Sequence, residues 1–372
     1  MEFMRVCAKI NKEAIKHNIK QIRSLVPENI RLMPVIKADG YGHGALSVAL
    51  ETAEYADYFA VAIIEEALEL RRNGISTPIL LLGYTWPQYY GVAIEKDVTL
   101  TVLTPEDAEA ISRVAASLRK NAKIHMAVDT GMSRIGLSPD EKSADIIARI
   151  SKLDNITLEG IFTHFSTADE KDTAFTKSQR EKFQEFKAML EKRGVDIKIY
   201  HTSNSAAIMQ HGDCGYDMVR PGIILYGLYP SDEVDKKVLD LVPAMELESH
   251  VAYVKNVKKG DSISYGRTFI ADKDMKIATI PVGYADGYPR LLSNKGRVII
   301  NGCYAPITGR ICMDQFMVDV SHIENVTVGD KVTLMGKQGG LFIGADEIAG
   351  YADTINYEIV CGIGKRVPRE VI

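Results

Sequence analysis

The chain has 372 residues, and at about 100–200 residues per domain that length favours two domains over one. Hydrophobic residues make up 46% and charged residues 25%, the balance of a soluble globular protein. A net charge of -4, from 45 basic and 49 acidic residues, leaves no electrostatic footprint for nucleic acid.

The first residues include Glu2 and Arg5 and lead into no long apolar stretch, so they do not read as a signal peptide. Residues 5–10 read as a strand that either domain could use. From about residue 30 to residue 225, short apolar runs alternate with amphipathic helical stretches. The runs are 32–36, 58–63, 79–82, 99–103, 124–128, 156–162, 197–200 and 218–219. Thr104-Pro105-Glu106-Asp107 predicts a helix start, with a capping hydroxyl, proline at the first helical position and acids at the positive end of the dipole. Residues 175–193 predict a long helix stopped by Gly194. Eight β-then-α units are the number that closes a (β/α)8 barrel.

After Leu241-Val242-Pro243 the rhythm changes. Short strand-like runs at 250–257, 276–282, 297–300, 316–320 and 331–334 are separated by turns such as Lys259-Gly260-Asp261 and Asn301-Gly302. The expected architecture is α/β: a TIM-type (β/α)8 cofactor-binding barrel over 11–240, then a mostly-β domain over 241–372, joined by the strand at 1–10. No apolar run approaches the roughly 18 residues of a membrane span. The five cysteines (Cys7, Cys214, Cys303, Cys312, Cys361) are scattered and form no C-x-x-C pair, which reads as reduced thiols in a cytoplasmic protein. The eight histidines lack metal-ligand spacing, so no metal is expected.

In such a barrel, chemistry gathers where the strands end. The first apolar run ends in Lys37-Ala38-Asp39-Gly40-Tyr41-Gly42-His43-Gly44, and the fifth runs into Asp129-Thr130-Gly131-Met132-Ser133-Arg134-Ile135-Gly136. The sixth ends at His164, the seventh at His201, and the eighth at Arg220-Pro221-Gly222. Singly, a strand-end lysine is most often a solvated charge and a lone histidine a satisfied structural residue. Together they suit a carbonyl cofactor that bears a phosphate. A lysine can form a Schiff base, and arginines with a glycine-rich turn can hold phosphate and carboxylate.

At these residues the sequence resembles the alanine racemases. The likeness runs through residues 35–44 and 129–136, then through His201-Thr202-Ser203-Asn204-Ser205-Ala206-Ala207 and Val219-Arg220-Pro221-Gly222-Ile223. It continues through 282–290, Gly309-Arg310-Ile311-Cys312-Met313-Asp314-Gln315 and Tyr357-Glu358-Ile359, and so covers essentially the whole chain in order. The resemblance implies interconversion of L- and D-alanine, supplying D-alanine for peptidoglycan, with pyridoxal 5'-phosphate held as a Schiff base on Lys37. Lys37 would be the base on one face of the substrate Cα, and Tyr265, in Ser264-Tyr265-Gly266-Arg267, the base on the other. An ordinary tyrosine is almost fully protonated at neutral pH, so a neighbour must ease its ionisation, and the family places the equivalent of His164 there. Arg220, supported by His201, would face the pyridine nitrogen and leave it unprotonated. Tyr41, Ser205, Gly222, Ile223 and Tyr357 match positions that hold the phosphate. Arg134 would contact the cofactor's phenolic oxygen and, with the Met313 backbone, the substrate carboxylate. In the family Tyr265 and Met313 come from the partner subunit, which implies a homodimer with shared active sites.

One position departs from the family pattern. Many members have a lysine two residues before Asp-Thr-Gly, which becomes carbamylated and braces the arginine matching Arg134. Here that position is Ala127, and the expectation is a bound anion such as chloride beside a partly buried Arg134. Rival readings are a serine or broad-specificity racemase of the same fold, a barrel-type decarboxylase of basic amino acids, and a non-enzymatic cofactor carrier. Tyr357 favours the methyl-sized substrate, the Cys-Asp motif of the decarboxylases is not visible, and a carrier would lack the second domain.

Overall fold

The computed structural model describes residues 4–210 and 216–372. Cys214 lies outside them. The chain forms two compact units. One consists of Glu13–Gly40 and Ala45–Val242; the other of residues 4–12, Tyr41–Gly44 and Pro243–Ile372. Residues 41–44, which the sequence suggested as part of the barrel, therefore group with the β-rich unit.

Strand β1 (Val6–Ile10) belongs to the β-rich unit. In the other unit the strands are β2 (Arg31–Leu32), β3 (Phe59–Val61), β4 (Ile79–Leu81), β5 (Val98–Val102), β6 (Ala122–Ala127), β7 (Ile156–Phe162), β8 (Ile199–His201) and β9 (Met218–Val219). Strands β3 to β8 form a parallel sheet in chain order, and β2 pairs in parallel with β9. Two seams join these pieces. Beyond β2, the Val35–Ala60 bridge is flanked by Ile36 N–H bonding to Ala60 O at 2.9 Å and Ala60 N–H to Pro34 O at 3.0 Å. On the other side, Asp217 N–H donates to Tyr200 O and Arg220 N–H to Ser203 O, each at 2.9 Å. Eight parallel strands thus close on themselves. Strands β3, β4 and β5 are buried along their whole length, as in a sheet covered on both faces.

The helices outside this ring follow from sequence in the same way. Glu141–Ile150 turns Ala144, Ile147 and Ile150 inward at helical spacing, and Asp140 caps it by accepting from Ser143 N–H at 2.8 Å. Pro105–Ser117 begins as its sequence predicts, with Thr104 Oγ1 accepting from Asp107 N–H at 3.1 Å. The long helix Ala174–Lys192 ends before Gly194, whose φ of 68° is the left-handed conformation that stops a helix.

In the β-rich unit the strands are β10 (Met245–His250), β11 (Tyr253–Val257), β12 (Ser262–Ile263), β13 (Phe269–Ile270), β14 (Met275–Ile280), β15 (Arg297–Ile300), β16 (Cys303–Thr308), β17 (Phe316–Asp319), β18 (Lys331–Gln338), β19 (Leu341–Ile343) and β20 (Arg369–Val371). Nine of them and β1 form one ten-stranded sheet in the order β11-β14-β17-β16-β15-β18-β10-β1-β20, with β19 folded onto β18. The first strand of the chain lies between β10, antiparallel, and β20, parallel. Arg5 clamps this start in place through two bonds to Asp286, at 2.9 and 2.7 Å. Asp286 is buried and also accepts from Gly283 N–H at 3.1 Å. The Gly-Tyr-Ala-Asp-Gly stretch at 283–287 is therefore built around a structural carboxylate.

Candidate active site

Lys37 follows five buried residues, Leu32 to Ile36, at the end of the chain segment that begins with β2, and it is itself half-buried. The backbone then turns in a way L-residues resist. Ala38, Asp39, Gly40 and Tyr41 all have φ between 52° and 60°. Such a conformation costs about 1–2 kcal/mol for each non-glycine residue. Three bonds hold the turn: Ala38 N–H to Glu66 Oε1 at 2.6 Å, Ala45 N–H to Asp39 Oδ1 at 2.8 Å, and Gly40 N–H to Ile36 O at 2.9 Å. The other oxygen of Glu66 accepts from Ala62 N–H at 2.8 Å and Ile63 N–H at 3.3 Å. One carboxylate thus ties the turn after Lys37 to the start of the helix Ile64–Arg72. Strain held by its surroundings in this way is characteristic of functional sites.

The loop carrying Arg134 is organised by its own motif. Asp129 Oδ1 accepts from Gly131 N–H at 2.9 Å and Ser133 N–H at 3.0 Å. Gly131 has φ 146°, and a Cβ there would lie 2.9 Å from the Phe175 ring. Gln179, fully buried, joins this loop to the next. Its Nε2 donates to Thr130 Oγ1 at 3.3 Å and to His164 O at 3.1 Å, while its Oε1 accepts from Ser166 N–H at 3.0 Å. Ala127 is buried and Arg134 is exposed in the single chain. The partly buried Arg134 that was the premise for an anion beside Ala127 is therefore not found in the single chain.

Arg220 is 3% exposed. Its Nη1 donates to His201 Nδ1 at 2.9 Å, and its Nη2 to Thr163 O at 2.8 Å and Thr202 O at 3.0 Å, with His164 Nδ1 at 3.2 Å. Burial, with a smaller push from Arg134, lowers the Arg220 guanidinium to about 9, so it keeps its proton at neutral pH. Burial also drives His201 well below its ordinary range, followed by the charge of Arg220. His164 falls to about 3, first through burial and then through the charges of Arg220, Arg134 and Lys37. Both histidines are neutral at pH 7. Since Arg220 can only donate, His164 carries its own proton on Nε2. Close by, Gly222 N–H donates to Ser205 Oγ at 2.8 Å, and Gly222 leads into the short turn Ile223–Tyr226.

The β-rich unit holds the remaining residues singled out by sequence. Tyr41 is buried and its ring lies 6.1 Å from that of the half-buried Tyr357. Gly42 has φ 80°, and a Cβ there would come 2.3 Å from Val360 O, so only glycine fits beside the helix Asn356–Gly362. Tyr265 is 71% exposed on a turn where Ser264, Gly266 and Arg267 all have positive φ. Met313 is 53% exposed, and its carbonyl accepts from Ala285 N–H at 3.0 Å. A Cβ on Gly283 would meet that same Met313 carbonyl at 2.3 Å.

The charges of Lys37, Arg134 and Arg220 all lower His164, and Ser205 meets Gly222. Tyr41 with Tyr357, and separately Tyr265 and Met313, sit in the other unit. Sequence reasoning passed over Glu66 and Gln179. The signal for Gln179 was there: it falls in the inward stripe Thr176, Gln179, Phe183, Phe186 and Leu190, where an amide among aromatics announces a buried polar task.

Comparison with known proteins agrees over the whole chain. The family models for the alanine racemase N-terminal domain and C-terminal domain match residues 10–230 and 244–371. An alanine racemase from Desulforamulus reducens is 49% identical over 368 residues, covering 99% of either chain. An alanine racemase structure from Clostridium difficile 630 superposes with a TM-score of 0.96 at 44% identity, covering 100% of this chain and 97% of that one. The alanine racemase from Bacillus anthracis with bound L-Ala-P gives 0.94 at 39% identity, covering 100% and 96%. With both domain models matched in order and relatives aligned end to end, the chain belongs to the alanine racemase family.

Proposed function

We propose that this racemase interconverts L- and D-alanine with Lys37 and Tyr265 as its two bases, using pyridoxal 5'-phosphate. The observation that carries the reading is the donor set at the barrel mouth. The charges of Lys37, Arg134 and Arg220 all bear on His164. A crowd of cations of this kind fits a phosphate-bearing carbonyl cofactor and a substrate carboxylate.

When bound, pyridoxal phosphate supplies the electron sink that makes the alanine Cα proton removable. Lys37 Nζ would anchor it and then move the Cα proton on one face. The Tyr265 hydroxyl would do so on the other, with the Nε2–H of neutral His164 as a donor that steadies the ionised tyrosine oxygen. Arg220, kept protonated, would donate to the ring nitrogen and leave it without a proton of its own, which restrains side reactions. The Ser205 hydroxyl and the Gly222 and Ile223 amides, with Tyr41 and Tyr357, would hold the phosphate. Arg134 and the Met313 backbone would take the carboxylate. Tyr265 and Met313, which a single chain leaves exposed, would serve the active site of a second subunit in a homodimer. The bound L-Ala-P of the Bacillus anthracis relative supports alanine as substrate. The free cysteines Cys7, Cys303, Cys312 and Cys361 support a reducing, cytoplasmic setting.

Chiral chromatography of L-alanine and L-serine incubated with the cofactor-loaded enzyme tests the reading directly. D-alanine should form first and fastest. Faster racemisation of serine would overturn the substrate assignment. Tyr357→Ala should raise the serine-to-alanine ratio about tenfold, the scale of a changed pocket contact.

A further inference from the structure

Among the described residues, Arg220 is a buried cation with no carboxylate in contact. A line of bonds leads from it into the barrel. Arg220 Nη1 bonds to His201 Nδ1 at 2.9 Å, His201 Nε2 bonds to His125 Nδ1 at 2.9 Å, and His125 Nε2 lies 3.4 Å from Glu159 Oε2. The last step is within ion-pair range but longer than an ordinary hydrogen bond. Tyr58 OH donates to the same Glu159 oxygen at 2.6 Å. Both histidines are completely buried, and Glu159 is only partly shielded.

The chain has one permitted direction. A guanidinium only donates, so His201 Nδ1 accepts. Burial keeps both histidines neutral at pH 7, so the His201 proton is on Nε2 and is donated to His125 Nδ1. The His125 proton is then also on Nε2, aimed at a carboxylate that only accepts. Burial by itself would raise Glu159, but the close His125 ring and the bond from Tyr58 outweigh it and hold the group below its ordinary range, as an anion. Every link agrees with its neighbours, and the two ends have opposite charge.

The backbone is arranged for this contact. The register of β6 against β7 shifts between Ile124 and His125, where Ile124 pairs with Leu158 and His125 with Gly160, so that Glu159 is the extra residue. A bulge re-aims a side chain in this way. A Cβ on Gly160 would lie 2.5 Å from the His125 ring, so glycine makes room for the imidazole.

We propose that Glu159 is a positioning residue for racemisation: through His125 and His201 it fixes the direction of a hydrogen-bond chain that ends on Arg220 and holds that guanidinium as a donor. The proposal rests on the role given to Arg220 above.

The test uses 15N-histidine-labelled enzyme, with and without cofactor, together with steady-state kinetics in both directions. In the wild type, nitrogen spectra should show two buried neutral histidines protonated on Nε2. Glu159→Leu should mix the tautomers, lower kcat about ten- to a hundredfold, as expected for losing a charge-assisted bond, and leave KM for alanine nearly unchanged. Glu159→Gln, which can still accept through its amide oxygen, should retain more of both properties than Glu159→Leu. Unchanged nitrogen signals in Glu159→Leu, or altered signals with unchanged kcat, would overturn the proposal. Arg220→Lys separates the two ideas. If it leaves kcat and the cofactor's absorption unaltered, the role of Arg220 itself has failed; if it alters them while Glu159→Leu does not, only the link to Glu159 has failed.

Discussion

The barrel unit and the β-rich unit hold their candidate site residues in opposite ways. In the barrel unit the functional groups are held from behind. Gln179 ties two loops, Glu66 braces the turn after Lys37, and Arg220 makes four polar contacts. In the β-rich unit, Tyr265 and Met313 project from turns whose backbone is fixed but whose side chains are exposed. The difference teaches that groups acting on charge are pre-organised inside one chain, where low dielectric strengthens them. Tyr265 and Met313, proposed to meet a ligand or a second copy, are merely presented.

The largest expected effect falls on the braced side. Lys37→Ala should cut racemisation about 10^3-fold or more, since it removes the anchor and one base together, and should abolish borohydride-reducible attachment of the cofactor. A retained adduct would mean that another lysine is the anchor.

Tyr265→Phe tests the presented side. Loss of a single general base is worth about 10^2–10^4-fold, and it should fall mainly on removal of the L-alanine proton. Deuterium wash-in from labelled water, followed separately for each isomer, reads this out. Equal slowing in both directions would recast Tyr265 as a group that only orients substrate.

Protonation should weaken the barrel unit selectively. The folded-state pKa values of His164, His201 and His125 are all lowered from 6.5. Below 6.5 the unfolded chain therefore binds more protons than the folded one, and stability declines as pH drops. Each such histidine contributes a slope of about 1.4 kcal/mol per pH unit while it remains neutral in the fold. Urea unfolding at pH 7 and pH 5 checks this, and a flat profile would indicate that these rings charge without penalty.

Gln179→Leu should have the smallest effect of the four, about 1–3 kcal/mol of stability for orphaning buried polar groups. The KM for alanine should rise because the Arg134 loop loses its brace. The same substitution with unchanged KM would show that Asp129 alone organises that loop.

Much of this was legible in the sequence because it is local. Alternating apolar runs and amphipathic stretches revealed the barrel, Thr104-Pro105 set a helix start, and residues 37–44 and 129–136 marked two site loops. Other features escaped because their meaning lies across the chain. Glu66 reads as an ordinary first-turn acid of a helix, and nothing nearby shows that Ala38, 28 residues earlier, is its partner. Glu159-Gly160 in a strand does suggest a bulge or a close approach, yet not which ring would fill the space. Asp286, inside the 282–290 stretch, proves to be the anchor for Arg5.

The sequence by itself determined the types and order of elements, because hydrophobic periodicity, caps and glycine positions act over one or two turns of chain. It also carried the family likeness and the chemically able residues. Tertiary structure alone decided that residues 41–44 group with the β-rich unit and that β1 lies between β10 and β20. It alone decided, too, that Arg220, His201, His125 and Glu159 stand in one line. Such pairings close long loops, and their energy depends on which distant surfaces meet and on how deeply each charge is buried. No short window of sequence contains that information.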